Sequence, residues 1–121
     1  MVDAPPHSSM DPAGACLVMT TVDSSAAARE IARRLVEERL AACVQILPPM
    51  TSVYSWEGRI EEASESLLLI KTVRSAYATL ETKLRQIHPY QTPEIIVLPI
   101  EAGLPDYLAW MVEVTERAAR D

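Results

Sequence analysis

The sequence predicts a single α+β domain with the element order β-α-β-β-α-β and one further helix, and three observations support this. The chain has 121 residues, 49% of them hydrophobic and 23% charged, which suits one globular domain. Apolar residues alternate between strand-like runs and helical spacing along the chain. Two right-handed βα crossovers with a hairpin between them fold most simply into four strands covered by helices on one face, the ferredoxin-like plait.

The first strand and the first helix follow from the sequence between residues 15 and 38. Ala15–Val22 is a short apolar run rich in strand formers, and the Asp23–Ser25 segment after it is typical of a helix start. The next residues place apolar side chains at helical spacing and charged ones on the other side, which predicts an amphipathic helix. Its predicted apolar face consists of Ala28, Ile31, Ala32 and Leu35. On the charged face, Glu30 precedes Arg34 by four residues, the favourable order for an ion pair.

The middle of the chain predicts a long hairpin. Cys43–Trp56 has strand character on both sides of Pro48-Pro49, a pair that cannot donate ladder hydrogen bonds and therefore bends the strand. Glu57-Gly58 predicts a tight turn, after which the return strand runs over Arg59–Val73. The hairpin is longer than a four-stranded sheet needs. Since unpaired strand edges need cover, we expect a second copy of the chain to provide it.

The second half of the chain predicts a helix, a strand and a final helix. Ser75 is expected to cap the helix, which must stop near His88 because Pro89 disfavours helical geometry in the residue before it. The expected apolar face of this helix consists of Tyr77, Leu80, Leu84 and Ile87. Glu94–Ile100 predicts a buried strand, and the spacing of apolar residues in Tyr107–Val114 predicts a C-terminal helix.

The N-terminus and the overall charge exclude several classes of protein. Residues 1–14 are expected to be a disordered tail, and residues 15–121 to form the domain. The tail has no Lys or Arg and no apolar core, so it predicts no signal peptide, and we expect a cytoplasmic protein with free thiols. A net charge of −6 argues against nucleic-acid binding, and no apolar run is long enough to cross a membrane. The chain contains no Phe and no Asn, which argues against RNA-binding and acylphosphatase-type plaits respectively.

Few residues are candidates for metal binding or catalysis. His88 is the one imidazole of the predicted domain, either a metal ligand or general base, or a cation that ends a helix favourably. Met19 is either a core residue or a soft metal ligand, and Cys43 is expected to be a small buried hydrophobe. No nucleophile stands beside a base and no phosphate-binding loop exists, so no enzyme is predicted. One catalytic hypothesis remains, with His88 as a base between subunits.

A cleft between subunits is the other candidate site. Lys71 interrupts an apolar strand, so it either faces solvent or directs its ammonium group at a carboxylate such as Glu94. The large aromatic residues of the hairpin and of the loop after the second helix favour subunit contacts. The candidate cleft residues are Trp56, Lys71, Tyr90 and Glu94.

Four stretches of the sequence resemble the CutA family of divalent-cation tolerance proteins. They are ERLAACVQILP, SVYSWEGRIEE, LLLIKT and HPYQTPEIIVLPI, and the later LPDYLAWM also matches, so the likeness spans Cys16–Val114. The resemblance implies a ferredoxin-like fold, a homotrimer joined by edge strands, and heavy-metal tolerance, with copper binding in some members. Some members have Cys at the position of Met19 and His at that of Ile87. Of that implied ligand set His88 alone is unchanged, with Met19 as a weaker ligand for Cu(I).

Two functional hypotheses follow. The first is a trimeric protein of divalent or heavy-metal tolerance that binds copper or another divalent cation weakly around His88 and Met19. The alternative is a regulatory module without catalysis that resembles the PII signal proteins, whose clefts between subunits hold a small ligand or a partner. Neither hypothesis involves nucleic acid or a membrane.

Overall fold

The computed structural model describes residues 14–120, with side-chain burial through Thr115, and confirms the predicted α+β class. The predicted tail lies outside the described residues except for Gly14. The elements in chain order are β1 (Ala15–Val22), α1 (Ser25–Glu37), β2 (Cys43–Ile46), β3 (Met50–Trp56), β4 (Arg59–Val73), α2 (Arg74–Ile87), β5 (Ile96–Pro99) and α3 (Pro105–Arg120).

The sheet has the strand order expected for the ferredoxin-like plait. Its order is β2-β4-β1-β5, every pairing is antiparallel, and β3 also pairs with β4. The long strand β4 therefore has two partners on one edge, with β3 along Arg59–Glu65 and β2 along Leu68–Lys71. As predicted, Pro48-Pro49 separates β2 from β3. The β1–β4 register pairs Thr21 with Leu67, close to the point where β4 changes partner.

The core lies between one face of the sheet and the helices α1 and α2. Alternate residues of β1 and β4 point into it, as the period of two in a strand requires. Its large buried side chains are Val18, Val22, Ile31, Leu35, Leu68, Ile70, Leu80 and Leu84. Burial of a side chain of this size contributes about 1.5–3 kcal/mol. By the same alternation, Met19 lies on the opposite face of β1.

Both ends of α1 are closed by local hydrogen bonds. The predicted cap is confirmed, because Ser24 Oγ accepts a hydrogen bond of 3.1 Å from the Ala27 N–H. At the other end Arg39 has a left-handed φ of 61°, and the Leu40 N–H donates to the Leu35 carbonyl at 2.9 Å. This is a Schellman ending, in which glycine is the usual residue at the position of Arg39.

The start of α2 differs from the prediction. Ser75 lies inside the helix, Val73 occupies the capping position, and no side chain caps this end. The Arg74 N–H instead donates to the Gly14 carbonyl at 2.8 Å. Because the residue before β1 supplies this acceptor, a serine cap is not needed there.

Strand β5 is shorter and more exposed than the predicted buried strand. It covers Ile96–Pro99, and the side chains of Ile96 and Leu98 are exposed, whereas Val97 packs against the core. The reason is its place at the sheet edge, where it pairs with β1 alone among the described strands and is covered on one face.

The hairpin turn and the last helix agree with the sequence. Glu57 and Gly58 have φ values of 51° and 79°, and a two-residue turn of type I′ requires positive φ at both positions. Helix α3 packs against β4, α2 and β1 and buries Met111, while Tyr107 and Trp110 stay exposed. No helix in the described part of the chain is long and apolar enough to span a membrane.

Candidate functional site

His88 lies at the end of α2 and is buried, with 7% of its surface exposed. Its Nε2 is 2.9 Å from the Thr21 carbonyl oxygen, and its Nδ1 accepts a hydrogen bond of 3.1 Å from the Tyr90 N–H. Because a carbonyl only accepts, Nε2 carries the proton and the ring is neutral. Burial lowers the pKa of His88, although the Thr21 carbonyl and the carboxylates of Asp23 and Glu65 act in the opposite direction.

The loop after His88 is tied to the sheet at a second point. The Tyr90 hydroxyl donates a hydrogen bond of 2.7 Å to Glu65 Oε2 on β4, and its ring lies 4.8 Å from the His88 ring. Burial and the Glu65 carboxylate raise the pKa of Tyr90, so its hydroxyl remains a donor at neutral pH. The loop is therefore held to β1 through His88 and to β4 through Tyr90.

A cavity of about 770 Å³ lies between this loop and the hairpin. It is within the range of cavities that hold small molecules. The residues that line it are Thr21, Asp23, Ser52, Val53, Tyr54, Trp56, Ala63, Glu65, Tyr90, Gln91, Thr92 and Glu94. Three of the four predicted cleft residues, Trp56, Tyr90 and Glu94, thus lie at one cavity.

Charge in this cavity has one sign. Asp23, Glu65 and Glu94 contribute carboxyl groups, and no Lys, Arg or His is among the lining residues. None of these three carboxyl groups takes part in an ion pair with another described residue. Burial and the nearby Glu65 carboxylate raise the pKa of Glu94. The carboxyl groups of this cavity are therefore not balanced by a cationic side chain among the residues that line it, and the nearest cationic residue that shares a cavity with Asp23 and Glu65 is Arg29.

Lys71, the fourth predicted cleft residue, lies elsewhere. Its Nζ is 3.5 Å from the Tyr107 hydroxyl and 5.5 Å from the centre of the Tyr107 ring on α3. Of the two alternatives for Lys71, the structure contradicts the contact with Glu94. Glu94 lies near Glu65, and Lys71 follows Glu65 by six residues in β4, roughly 20 Å along a strand. The ammonium group of Lys71 therefore contacts α3 and not the cavity.

The two cysteines differ in their exposure to solvent, and the expectation for Cys43 is wrong. Cys43 is partly exposed, not buried, whereas Cys16 is 1% exposed. Burial raises the pKa of the Cys16 thiol to about 11, so it carries no thiolate at neutral pH. Neither side chain lines the cavity.

The arrangement around His88 does not form a preorganised copper site. Both ring nitrogens already bond to backbone groups, and Met19 is not among the residues at the cavity. Within residues 14–115, no three His, Cys, Asp or Glu side chains are grouped closely enough to hold a metal ion. A metal at Nδ1 would have to displace the Tyr90 N–H.

Two site residues, Asp23 and Glu65, were missed by the sequence reasoning. They also line a second cavity of about 510 Å³, together with Arg29 and Pro48-Pro49. The signal that could have located them is strand register. Once β1 pairs with β4, Val22 lies opposite Ser66, and the carboxyl groups that flank these two residues must be neighbours.

Fold and cavity together define a small ferredoxin-like domain with an acidic, aromatic-lined cavity at one end of its sheet. Residues 16–114 match the sequence profile described as CutA1 divalent ion tolerance protein. The chain therefore belongs to the CutA1 family.

Relatives support this assignment across the whole domain. The divalent-cation tolerance protein CutA of Thermus thermophilus is 50% identical over 99 residues, which are 82% of this chain and 96% of that protein. Protein CutA of Mus musculus is 47% identical over 105 residues, 87% of this chain, and the chain spans 59% of the length of the mouse protein.

Solved structures of the family have the same fold. The divalent cation tolerance protein (Cut A1) of Thermus thermophilus superimposes with a TM-score of 0.82 at 48% identity, over 84% of this chain and 98% of that one. CutA of Xylella fastidiosa gives a TM-score of 0.82 at 41% identity, with the same coverage of 84% and 98%.

Proposed function

We propose that this protein acts in tolerance to divalent and heavy-metal cations. The observation that carries the proposal is the family match over residues 16–114. The presence of three carboxyl groups, those of Asp23, Glu65 and Glu94, in a cavity whose lining includes no cationic residue supports a role that involves cations. The test is growth of a bacterial strain that lacks its own family member, at increasing Cu²⁺, Zn²⁺ and Cd²⁺. Expression of this chain should raise the tolerated concentration, and growth equal to the empty vector at matched expression would contradict the proposal.

The proposed acting form is a homotrimer. Support comes from the hairpin, where Val53, Trp56 and Ile60 are 62%, 56% and 75% exposed, and from the exposed side chains of Ile96 and Leu98 on β5. Closed three-fold symmetry pairs every strand edge and leaves none open to further association. Sedimentation at micromolar concentration should give three times the 13.4 kDa mass of the chain.

Copper binding at His88 with Met19 is a finer proposal. Its support is the buried imidazole, the one ring of this kind in the described part of the chain. Since Nδ1 already accepts from the Tyr90 N–H, binding costs that hydrogen bond and we expect it to be weak. Calorimetry with Cu(I) and Cu(II) should show binding that His88→Ala abolishes and Met19→Leu weakens for Cu(I). Identical heats for the wild type and His88→Ala would contradict it.

A second proposed function is a regulatory module without catalysis, and the cavity is the observation that favours it. A space of about 770 Å³ suits a small molecule better than a single ion. The engagement of both His88 nitrogens by backbone groups supports a role other than that of a general base. Thermal-shift screening against metabolites and nucleotides tests this function, and stabilisation by one of them is expected.

The proposed location is the cytoplasm. Its support is the pair of unpaired thiols, Cys16 and Cys43, because reducing compartments keep thiols free. Fractionation of cells that express the chain with its natural N-terminus should recover it with cytoplasmic markers, and recovery with an exported fraction would contradict this location.

A further inference from the structure

The second cavity, of about 510 Å³ beside α1, contains a buried hydroxyl group without a partner. Ser66 lines this cavity and is 7% exposed. Its side chain lies on the face of β4 that α1 covers, because Ser66, Leu68 and Ile70 alternate with the residues of the other face. The Ser66 hydroxyl makes no hydrogen bond to any residue that the structure describes. In that part of the chain Thr20 Oγ1 is the one unpaired side-chain atom sealed from solvent, so the Ser66 hydroxyl opens onto the cavity.

The first turn of α1 borders the same cavity with unused hydrogen-bond donors. The helix begins at Ser25, which lines the cavity. Ser24 Oγ accepts from the Ala27 N–H, whereas the N–H groups of Ser25 and Ala26 have no acceptor among the described residues. The first turn contains no acidic side chain to balance the positive end of the helix dipole. Free backbone donors at the start of a helix bind anions, and the unpartnered Ser66 hydroxyl adds a donor from β4.

The charged residues of this cavity favour an anion with one charge. Arg29 lines it from the second turn of α1 and forms no ion pair with another described residue. Glu65 borders the cavity, but its side chain lies on the opposite face of β4 from Ser66, where Oε2 accepts the hydrogen bond from Tyr90. Asp23 is the other acidic residue of the lining, and its carboxylate repels a doubly charged anion more than a singly charged one.

A further part of the wall is apolar. It is formed by the end of β2 and the proline pair, which are Ile46, Leu47, Pro48 and Pro49. Small-molecule sites combine such apolar walls with a few polar groups that fix the orientation of the ligand. An apolar wall in one space with anion-binding donors suits an organic acid, whose hydrocarbon part and carboxylate need different surroundings.

The site is built within one chain. Ser66 and α1 belong to the part of the fold that forms the core, and Ser66 is buried by its own chain. None of the side chains proposed above for subunit contacts lines this cavity, namely those of Val53, Trp56, Ile60, Ile96 and Leu98. Association through those side chains therefore does not provide a partner for the Ser66 hydroxyl.

We propose that the cavity beside α1 binds a small aliphatic carboxylic acid as its anion. The carboxylate accepts hydrogen bonds from the Ser66 hydroxyl and from the free N–H groups of Ser25 and Ala26. Arg29 adds a positive charge, and the hydrocarbon part lies against Pro48-Pro49. This inference goes beyond the functions proposed above, because it concerns a different cavity and requires no metal ion.

Titration of the assembled wild-type protein, followed by its amide NMR shifts, tests the proposal at pH 7.5 and constant ionic strength. The probe is butanoate, with 1-butanol as the neutral molecule of the same chain length and 1-butylammonium as the cation. Saturable shifts of the Ser25 and Ala26 amides are expected with butanoate, and at least tenfold weaker binding of the other two. Inorganic phosphate, mostly doubly charged at this pH, should also bind more weakly than butanoate. Equal affinity for butanoate and butanol, or no saturable shift with butanoate, would overturn the proposal.

Matched variants locate the binding. Ser66→Ala should weaken butanoate binding by about tenfold, the scale of a hydrogen bond to a charged group, and Arg29→Gln by about threefold, because Arg29 is exposed. Asp23→Asn should strengthen it by about threefold, since it removes a like charge. Ser75→Ala and Arg33→Gln make the same changes outside the cavity and should leave the affinity unchanged. Native mass and circular dichroism verify assembly and folding, and an unchanged affinity in Ser66→Ala would overturn the assigned site.

Two further outcomes separate this inference from others. If butanoate does not bind while Arg29→Gln changes the sedimentation coefficient, a carboxylate of a second copy occupies the site, and the proposed free acid is wrong. Tighter binding of phosphate than of butanoate, lost in Ser66→Ala, would overturn the choice of a carboxylic acid in favour of a phosphorylated ligand.

Discussion

Strand β4 consists of two halves that share one backbone but not one environment. Its inner half, Ser66–Val73, alternates buried side chains beneath α1 and α2. Its outer half, Arg59–Glu65, pairs with β3 and buries no side chain fully. Both halves pair with a neighbouring strand, and the difference between them lies in apolar burial. The inner half stabilises the fold of one chain through buried side chains, whereas the outer half gains comparable burial only if another chain covers it.

The largest expected effect on stability comes from a matched pair of side-chain truncations, one in each half of β4. Ile70→Ala, at a fully buried position, should lower the free energy of unfolding by about 2–5 kcal/mol. Ile60→Ala, at a position 75% exposed, should cost less than about 0.5 kcal/mol from contacts within one chain. Urea unfolding at two protein concentrations tenfold apart measures both losses. Any larger loss for Ile60→Ala should depend on concentration, and an equal, concentration-independent loss at both sites would contradict the comparison.

The second-largest expected effect is a loss of assembly and folding caused by a change in β3, the strand that pairs with the outer half of β4. Val53→Pro removes a backbone donor from β3 and should weaken assembly and folding together. Sedimentation at a series of concentrations should show dissociation of the variant where the wild type stays assembled. Val53→Ala keeps the N–H and serves as the control. A folded wild-type monomer of 13.4 kDa at micromolar concentration would contradict the role of this edge in assembly.

A smaller, pH-dependent effect lies where the two halves of β4 meet. His88 bonds to Thr21, which pairs with Leu67 near that boundary. Because burial lowers the pKa of His88 below 6.5, the unfolded chain takes up the proton first as the pH falls. The stability contributed by the neutral ring is present above pH 6.5 and is lost as the pH falls through the folded-state pKa.

Thermal unfolding of the wild type and His88→Gln between pH 7.5 and 5 measures this loss. The wild type should lose more stability on acidification than the variant, since Gln does not titrate. Asp23 and Glu65 face the ring and limit the size of the difference. Parallel curves for the two proteins would show that His88 titrates alike in the folded and unfolded states.

The smallest expected effect is a gain in stability, at the C-terminal end of α1. Arg39 holds a left-handed φ of 61° after α1, a conformation that glycine adopts without steric cost. Arg39→Gly should therefore raise the free energy of unfolding by up to about 1 kcal/mol. Arg33→Gly makes the same change inside the helix and should lower it by about 1 kcal/mol. Chemical denaturation compares them, and a loss at Arg39 would show that its side chain contributes more than its backbone strain costs.

The elements that form the core were predictable from local sequence. The alternation in β1, the helical spacing of Ile31 and Leu35, and the Ser24 cap are each properties of a few neighbouring residues. The Ser75 cap was wrong because the acceptor for the start of α2 is the Gly14 carbonyl, a partner sixty residues away. Local patterns do not report such distant partners.

Some residues of the cavity were predictable from the sequence, but the contacts between them were not, because those contacts join residues far apart in the chain. Trp56, Tyr90 and Glu94 stand out as residues, and the structure brings them to one place. The hydrogen bond between Tyr90 and Glu65, which organises the cavity, joins residues 25 apart in the chain. A choice between the two alternatives for Lys71, solvent or Glu94, required the position of Lys71 along β4 relative to the cavity, which composition and spacing did not provide.

The sequence of the turn at the tip of the hairpin determines whether the chain can undergo asparagine deamidation there. Type I′ turns most often carry Asn-Gly, a dipeptide that deamidates readily with age. This chain has Glu57-Gly58 there and contains no Asn, so this spontaneous reaction has no substrate at this exposed bend. The positive φ at Glu57 thus belongs to a tip whose charge and backbone asparagine deamidation cannot alter.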